Sequence, residues 1–181
     1  GRLIPPFDWH RWENLVSTII GLAILAALYL WAIGPMRRRA GLTERATGWQ
    51  VTSFFSGLLV TFLALNGPVH DLSDYYLFSV HMVQHLILTQ LMPPLLLLGL
   101  PAFALRPLVR PRWAQATARV LTRPAVAFSL YTLSFTGWHL QPAYDLMMRN
   151  HNVHIATHLQ FMVTAVILWW PVLGPLRELD F

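Results

Sequence analysis

The chain has 181 residues, of which 55% are hydrophobic and 12% charged, with a formal net charge of +5. That composition belongs to a polytopic membrane protein and excludes an ordinary soluble domain. All basic residues are arginines, and there is no cysteine, which excludes disulfides, thiolate metal sites and cysteine nucleophiles.

In chain order, residues 1–14 carry Pro5, Pro6, Trp9 and Trp12 and read as an interfacial lead-in, with tryptophans at headgroup level. The chain starts at Gly1 and not at Met, so an upstream segment is expected. The first apolar run, 15–33, has about the 20 residues that a bilayer requires, and Arg37–Arg39 follow it as a stop-transfer signal. A second run covers 49–66 and ends at the turn signal Asn66-Gly67-Pro68. A third run, 77–98, contains Pro93 and Pro94; each lacks a backbone N–H, so a bend or break is expected there. The exit carries Arg106, Arg110, Arg112, Arg119 and Arg123 with no acid, and its Trp113–Leu121 part reads as a short helix on the membrane surface. Pro124 is placed to start a fourth run, 124–139. A connection over 140–153 leads to a fifth, 154–172.

The expected fold is therefore all-α: a single transmembrane helical domain over 1–181, with five spans. Both arginine-rich loops fall on one side of such a bundle. The positive-inside rule makes that side cytoplasmic and puts the N-terminus outside, in a multi-pass membrane protein. The arginines sit beside apolar spans, so topology explains them and nucleic-acid binding does not.

Histidines concentrate at the opposite, outer end. His81 and His85 are four residues apart in the third run, and His154 and His158 repeat that spacing in the fifth. Four residues make nearly one helical turn, so each pair shares a face. His139 ends the fourth run at the same level. Ionisable groups inside a membrane are expensive and mark function by default. Polar side chains that merely hydrogen-bond between helices are the plainer alternative. Two pairs and His139 at one depth point to a metal site with His81, His85, His139, His154 and His158 as ligands. His70, Asp71, Gln84, Tyr144 and Asp145 are candidates for orienting them from behind. His10 and His151 are assigned no role. Imidazole without cysteine suits copper or zinc held outside the reducing cytoplasm, and a b-type haem clamped by His85 and His158 is the other possibility. Met82, Met147 and Met148 lie near the same rim but read as packing groups. No Ser-His-Asp pattern, phosphate loop or paired intramembrane carboxylate supports an enzyme.

The run HMVQH–LIL–MPPLLLLGLP, then WHLQPAYD, then H–ATH–F–WWPVLGP, resembles the caa3-type CtaG family of bacterial cytochrome c oxidase assembly factors over about residues 54–175. The motif positions are His81, Gln84, His85, Pro93, Pro94, Trp138, His139, Pro142, Tyr144, His154 and His158. The resemblance implies a protein of the bacterial plasma membrane that serves maturation of a haem-copper oxidase, with a role in copper supply and oxidase subunits as partners. Family members continue past the WWP segment with further spans, whereas this chain stops at Phe181, so its ligand set is open to completion by other segments. A different class of function, an accessory structural subunit of a respiratory or other bioenergetic complex, would use the same scaffold with the histidines as packing groups.

Overall fold

A computed structural model describes residues 16–66, 69, 72 and 77–176. Among them every regular element is helical. The first helix, α1, runs over Val16–Arg39, and its last turns pass through a π-helical segment at Ala32–Met36 that accommodates Pro35. Helix α2 covers Gly48–Leu65. It starts at a capping box, in which the Thr47 hydroxyl accepts from Gln50 N and the Gln50 side chain accepts from Thr47 N. Helix α3 covers Phe78–Gly99. After a short turn, α4 (Ala102–Leu105), come α5 (Arg112–Leu121), α6 (Pro124–His139), α7 (Gln141–Arg149) and α8 (His151–Leu173).

Pro93 and Pro94 do not break α3. The chain widens into a π-helical turn at Ile87–Leu91 just before them and continues as α-helix to Gly99. Thr89 O would bond to residue 93 in an α-helix or residue 94 in a π-helix, and both are prolines. The indole Nε1 of Trp169 on α8 donates to this carbonyl at 3.0 Å. The Thr89 hydroxyl in turn donates to His85 O at 2.7 Å.

Among the described residues four helices are long and apolar enough to cross a membrane, Val16–Arg39, Gly48–Leu65, Phe78–Gly99 and His151–Leu173, and not the five expected. The expected fourth span forms as α6, but its 16 residues rise only about 24 Å against a hydrocarbon core of roughly 30 Å. The outward N-terminus stands on the arginine distribution alone, because residues 1–15 lie outside the described residues. The connection over 140–153 is largely helical. Pro142 sits in the first turn of α7, Met147 is buried beneath it, and Asn150 caps α8 by accepting from Asn152 N and Val153 N. Helix α8 therefore starts at His151, which places His154 one turn inside it.

The arginine ends meet as expected. Glu44, after α1, and Arg106, after α3, approach to 3.5 Å, so both arginine-rich loops share one face of the bundle. The core near that face is a tight crossing of α1, α2 and α3. Tyr29 stacks on Phe54 with centroids 3.9 Å apart, and its hydroxyl donates to Gly99 O at 2.8 Å. Ser53 donates to Leu95 O at 2.7 Å. Gly99 permits this approach: a Cβ there would lie 2.5 Å from Phe54 N and 2.7 Å from Gln50 O.

Gly99→Ala is expected to lower stability by about 1–3 kcal/mol, because backbone atoms of α2 would have to move. Gly137→Ala, where a Cβ meets nothing within 4 Å, is expected to be neutral or to stabilise by up to about 1 kcal/mol. Thermal unfolding of both variants in detergent checks the pair; equal effects would contradict the close α2–α3 packing.

Candidate metal-handling histidine cluster

Helix periodicity aims each histidine pair. Along α8 the buried residues are His154, Thr157, His158, Phe161 and Ala165, a single stripe facing the bundle. Along the start of α3 they are His81, Gln84 and His85. Lipid cannot hydrogen-bond to an imidazole, so both stripes turn inward. His139, half-buried at the C-terminal end of α6, completes the group.

His85 is the centre. It is fully buried, and its ring centroid lies 4.2 Å from that of His81, 5.5 Å from that of His139 and 5.5 Å from that of His158. His154 lies 4.6 Å from His158 and 6.3 Å from His81 by the same measure. The five imidazoles named from the sequence are thus brought together from three helices, with His81, His154 and His158 also buried.

The hydrogen bonds assign protons. His139 Nδ1 lies 2.6 Å from Phe135 O. A carbonyl only accepts, so Nδ1 carries the proton and neutral His139 keeps its lone pair on Nε2. That Nε2 is buried without a hydrogen-bond partner. Both ring nitrogens of His85 are buried without partners as well. His154 Nε2 and His158 Nε2 are 2.9 Å apart, so one donates to the lone pair of the other. Among the described residues no three histidine, aspartate or glutamate side chains converge closely enough to hold a metal ion as they stand. Ligation by this set requires ring rotation and opening of the His154–His158 bond.

The expected supporting residues divide. Gln84 is fully buried and donates to Ala64 O of α2 at 2.7 Å, a tie between helices. Tyr144 meets His81 edge-on at 6.3 Å, so α7 covers the cluster. Asp145 is exposed, and no contact joins it to the imidazoles. His70 and Asp71 lie outside the described residues. Sequence reasoning missed the aromatic wall. Phe161 packs 5.0 Å from His85, and Phe135 packs 4.4 Å from His139 and 5.2 Å from Phe161. The signal was present in spacing, since Phe161 follows His158 by three residues and Phe135 precedes His139 by four. Also missed was a groove of about 680 Å³ between α1 and α8. Its wall includes Leu22, Leu25, Met92, Met162, His154 and His158, so the cluster is reached from the side.

Together these features define a membrane-helix protein with a buried, multi-helix imidazole cluster. The chain belongs to the cytochrome c oxidase caa3 assembly factor family (Caa3_CtaG), whose sequence profile matches residues 27–180. It is 28% identical to an uncharacterized protein of Mycobacterium bovis, over 82% of this chain and 25% of that protein. It is 30% identical to an uncharacterized protein of Mycobacterium leprae, over 93% of this chain and 27% of that protein. The chain thus spans about a quarter of the length of these curated relatives. No solved structure matches it.

A buried imidazole with two unmet nitrogens is costly where a hydrocarbon side chain would fit. His85→Leu is expected to raise the stability of the metal-free protein by about 1 kcal/mol or more. Thermal unfolding in detergent measures it; a clear loss of stability would show that His85 serves packing.

Proposed function

We propose that the chain handles copper for maturation of a haem-copper oxidase, binding the ion as cargo with imidazoles of α3, α6 and α8. The observation that carries this reading is His85: buried against the rings of three other histidines, His81, His139 and His158, with both nitrogens unmet. Evolution would retain such a group against its cost for a ligand that comes and goes. The fixed lone pair on His139 Nε2 supplies a second donor from another helix. The donor set is neutral nitrogen without thiolate, which suits copper first and zinc next. Phe135 and Phe161 fill the space between the rings, so an ion fits the cluster better than a flat macrocycle would.

The role is non-enzymatic: bind, hold and release. Family membership supports oxidase subunits as the receiving partners and a membrane setting for the exchange. Family membership supports a bacterial plasma membrane, and the arginine distribution puts the histidine end away from the cytoplasm. The groove along α1 and α8 gives a partner segment lateral access to His154 and His158.

Purified full-length protein loaded with copper is expected to retain stoichiometric metal, and the combined variant H81A/H85A/H158A to lose it. Metal analysis after desalting measures both, and unaltered protein with no bound copper would sink the proposal. Affinity purification from cells is expected to recover unassembled oxidase subunits. Recovery instead at fixed ratio with the mature complex would favour an accessory structural subunit.

A further inference from the structure

A second built feature lies at the other end of the molecule, away from the histidines. Helix α5 (Arg112–Leu121) is short and two-faced. Ala118 and Leu121 turn toward the bundle and line an apolar pocket of about 240 Å³ with Leu105, Leu108, Ile167 and Trp170. Trp113 and Val120, seven residues apart and so on one face, are exposed large hydrophobic groups, as is Leu108. Arg112 and Arg119, also seven apart, lie roughly 100° around the helix from that face. Arg110 and Arg123 flank the helix; all four arginines are exposed. None has a carboxylate partner among the described residues, and the sequence has no acid between Asp74 and Asp145. The Trp170 indole Nε1 is buried without a hydrogen-bond partner.

These features fit one kind of ligand. Exposed Trp113, Val120 and Leu108 would be wasteful in water and are at home at the headgroup boundary, where an amphipathic basic helix lies flat. Four uncompensated arginines attract a negative headgroup. The pocket beside them, walled by leucines and by the small side chain of Ala118, accepts hydrocarbon. We propose that α5 and the end of α8 form a binding site for an anionic phospholipid. The headgroup phosphate pairs with the arginines nearest the pocket mouth, the others adding to the positive field along α5, and an acyl chain enters the pocket beside Ala118. The proposal is independent of the copper reading.

The test uses the full-length protein in neutral detergent, incubated with phosphatidylglycerol or with phosphatidylcholine of the same acyl chains. Native mass spectrometry counts the lipid retained. Phosphatidylglycerol is expected to be held at least about tenfold more tightly, a margin that falls with added salt. R112Q/R119Q/R123Q is expected to erase the preference, and Ala118→Leu, which fills the pocket without altering charge, to weaken phosphatidylglycerol retention. Far-UV circular dichroism verifies that the variants fold. Equal retention of the two lipids by unaltered protein would overturn the proposal, leaving the arginines as topology signals only. So would displacement of phosphatidylglycerol by inorganic phosphate but not by chloride at matched ionic strength, since that would mark a site for the free anion.

Discussion

The structure depends on one backbone oxygen. In a membrane interior no water can satisfy a carbonyl whose helical partner is missing, and an unmet group there costs several kcal/mol by the usual order of magnitude. Pro93 and Pro94 together deprive Thr89 O of both its α-helical and its π-helical donor. The indole of Trp169 supplies the missing hydrogen bond from α8. That contact ties α3 to α8, the two helices that carry the histidine pairs, and limits how far one can slide past the other. The π-helical turn between His85 and Pro93 rotates the second half of α3 relative to the first. His81 and His85 can therefore face α6 and α8 while Leu95 and Gly99, further along the same helix, accept hydrogen bonds from Ser53 and Tyr29 on the α2 and α1 side.

Much of this was legible in the sequence, because apolar runs and four-residue histidine spacing are local properties. The pairs at His81/His85 and His154/His158 turn inward for the solvation reason that the spacing implied. The response to Pro93-Pro94 was not legible, since a break and a π-helical turn are both permitted by chemistry and Trp169 is 80 residues away. The bounds of α6 were legible, 124–139, but a run of 16 residues falls short of the hydrocarbon thickness, so counting it as a full span was the misjudgement. The segment after His139 read as a connection, yet Pro142 in its first turn and buried Met147 make it the helix that covers the cluster. Asp145 was drawn toward the site by proximity in sequence. Helical phase instead leaves it exposed while Tyr144, one residue earlier, meets His81.

The cluster combines features that packing alone does not favour. Histidines in a helical bundle ordinarily resolve their nitrogens by hydrogen bonding, as His154 and His158 do within one helix and as Gln84 does across helices to Ala64 O. His85 does not, although it is the most enclosed of the five and is walled by Phe161 and Phe135. An apolar wall lowers the local dielectric and strengthens whatever bond the imidazole eventually makes. It also keeps water from competing for the lone pairs.

On the copper reading, the His154–His158 hydrogen bond is the contact within the cluster that an ion would have to displace. With their Nε2 atoms 2.9 Å apart, one histidine shares its N–H with the other, while ligation at about 2.0–2.1 Å from a metal needs lone pairs on separate donors. An ion held by this set would therefore compete with that hydrogen bond, whereas His85 and His139 Nε2 carry no hydrogen bond to displace. The groove between α1 and α8 reaches the cluster at His154 and His158. An ion exchanged through that groove, as the copper reading proposes, would have to open their bond.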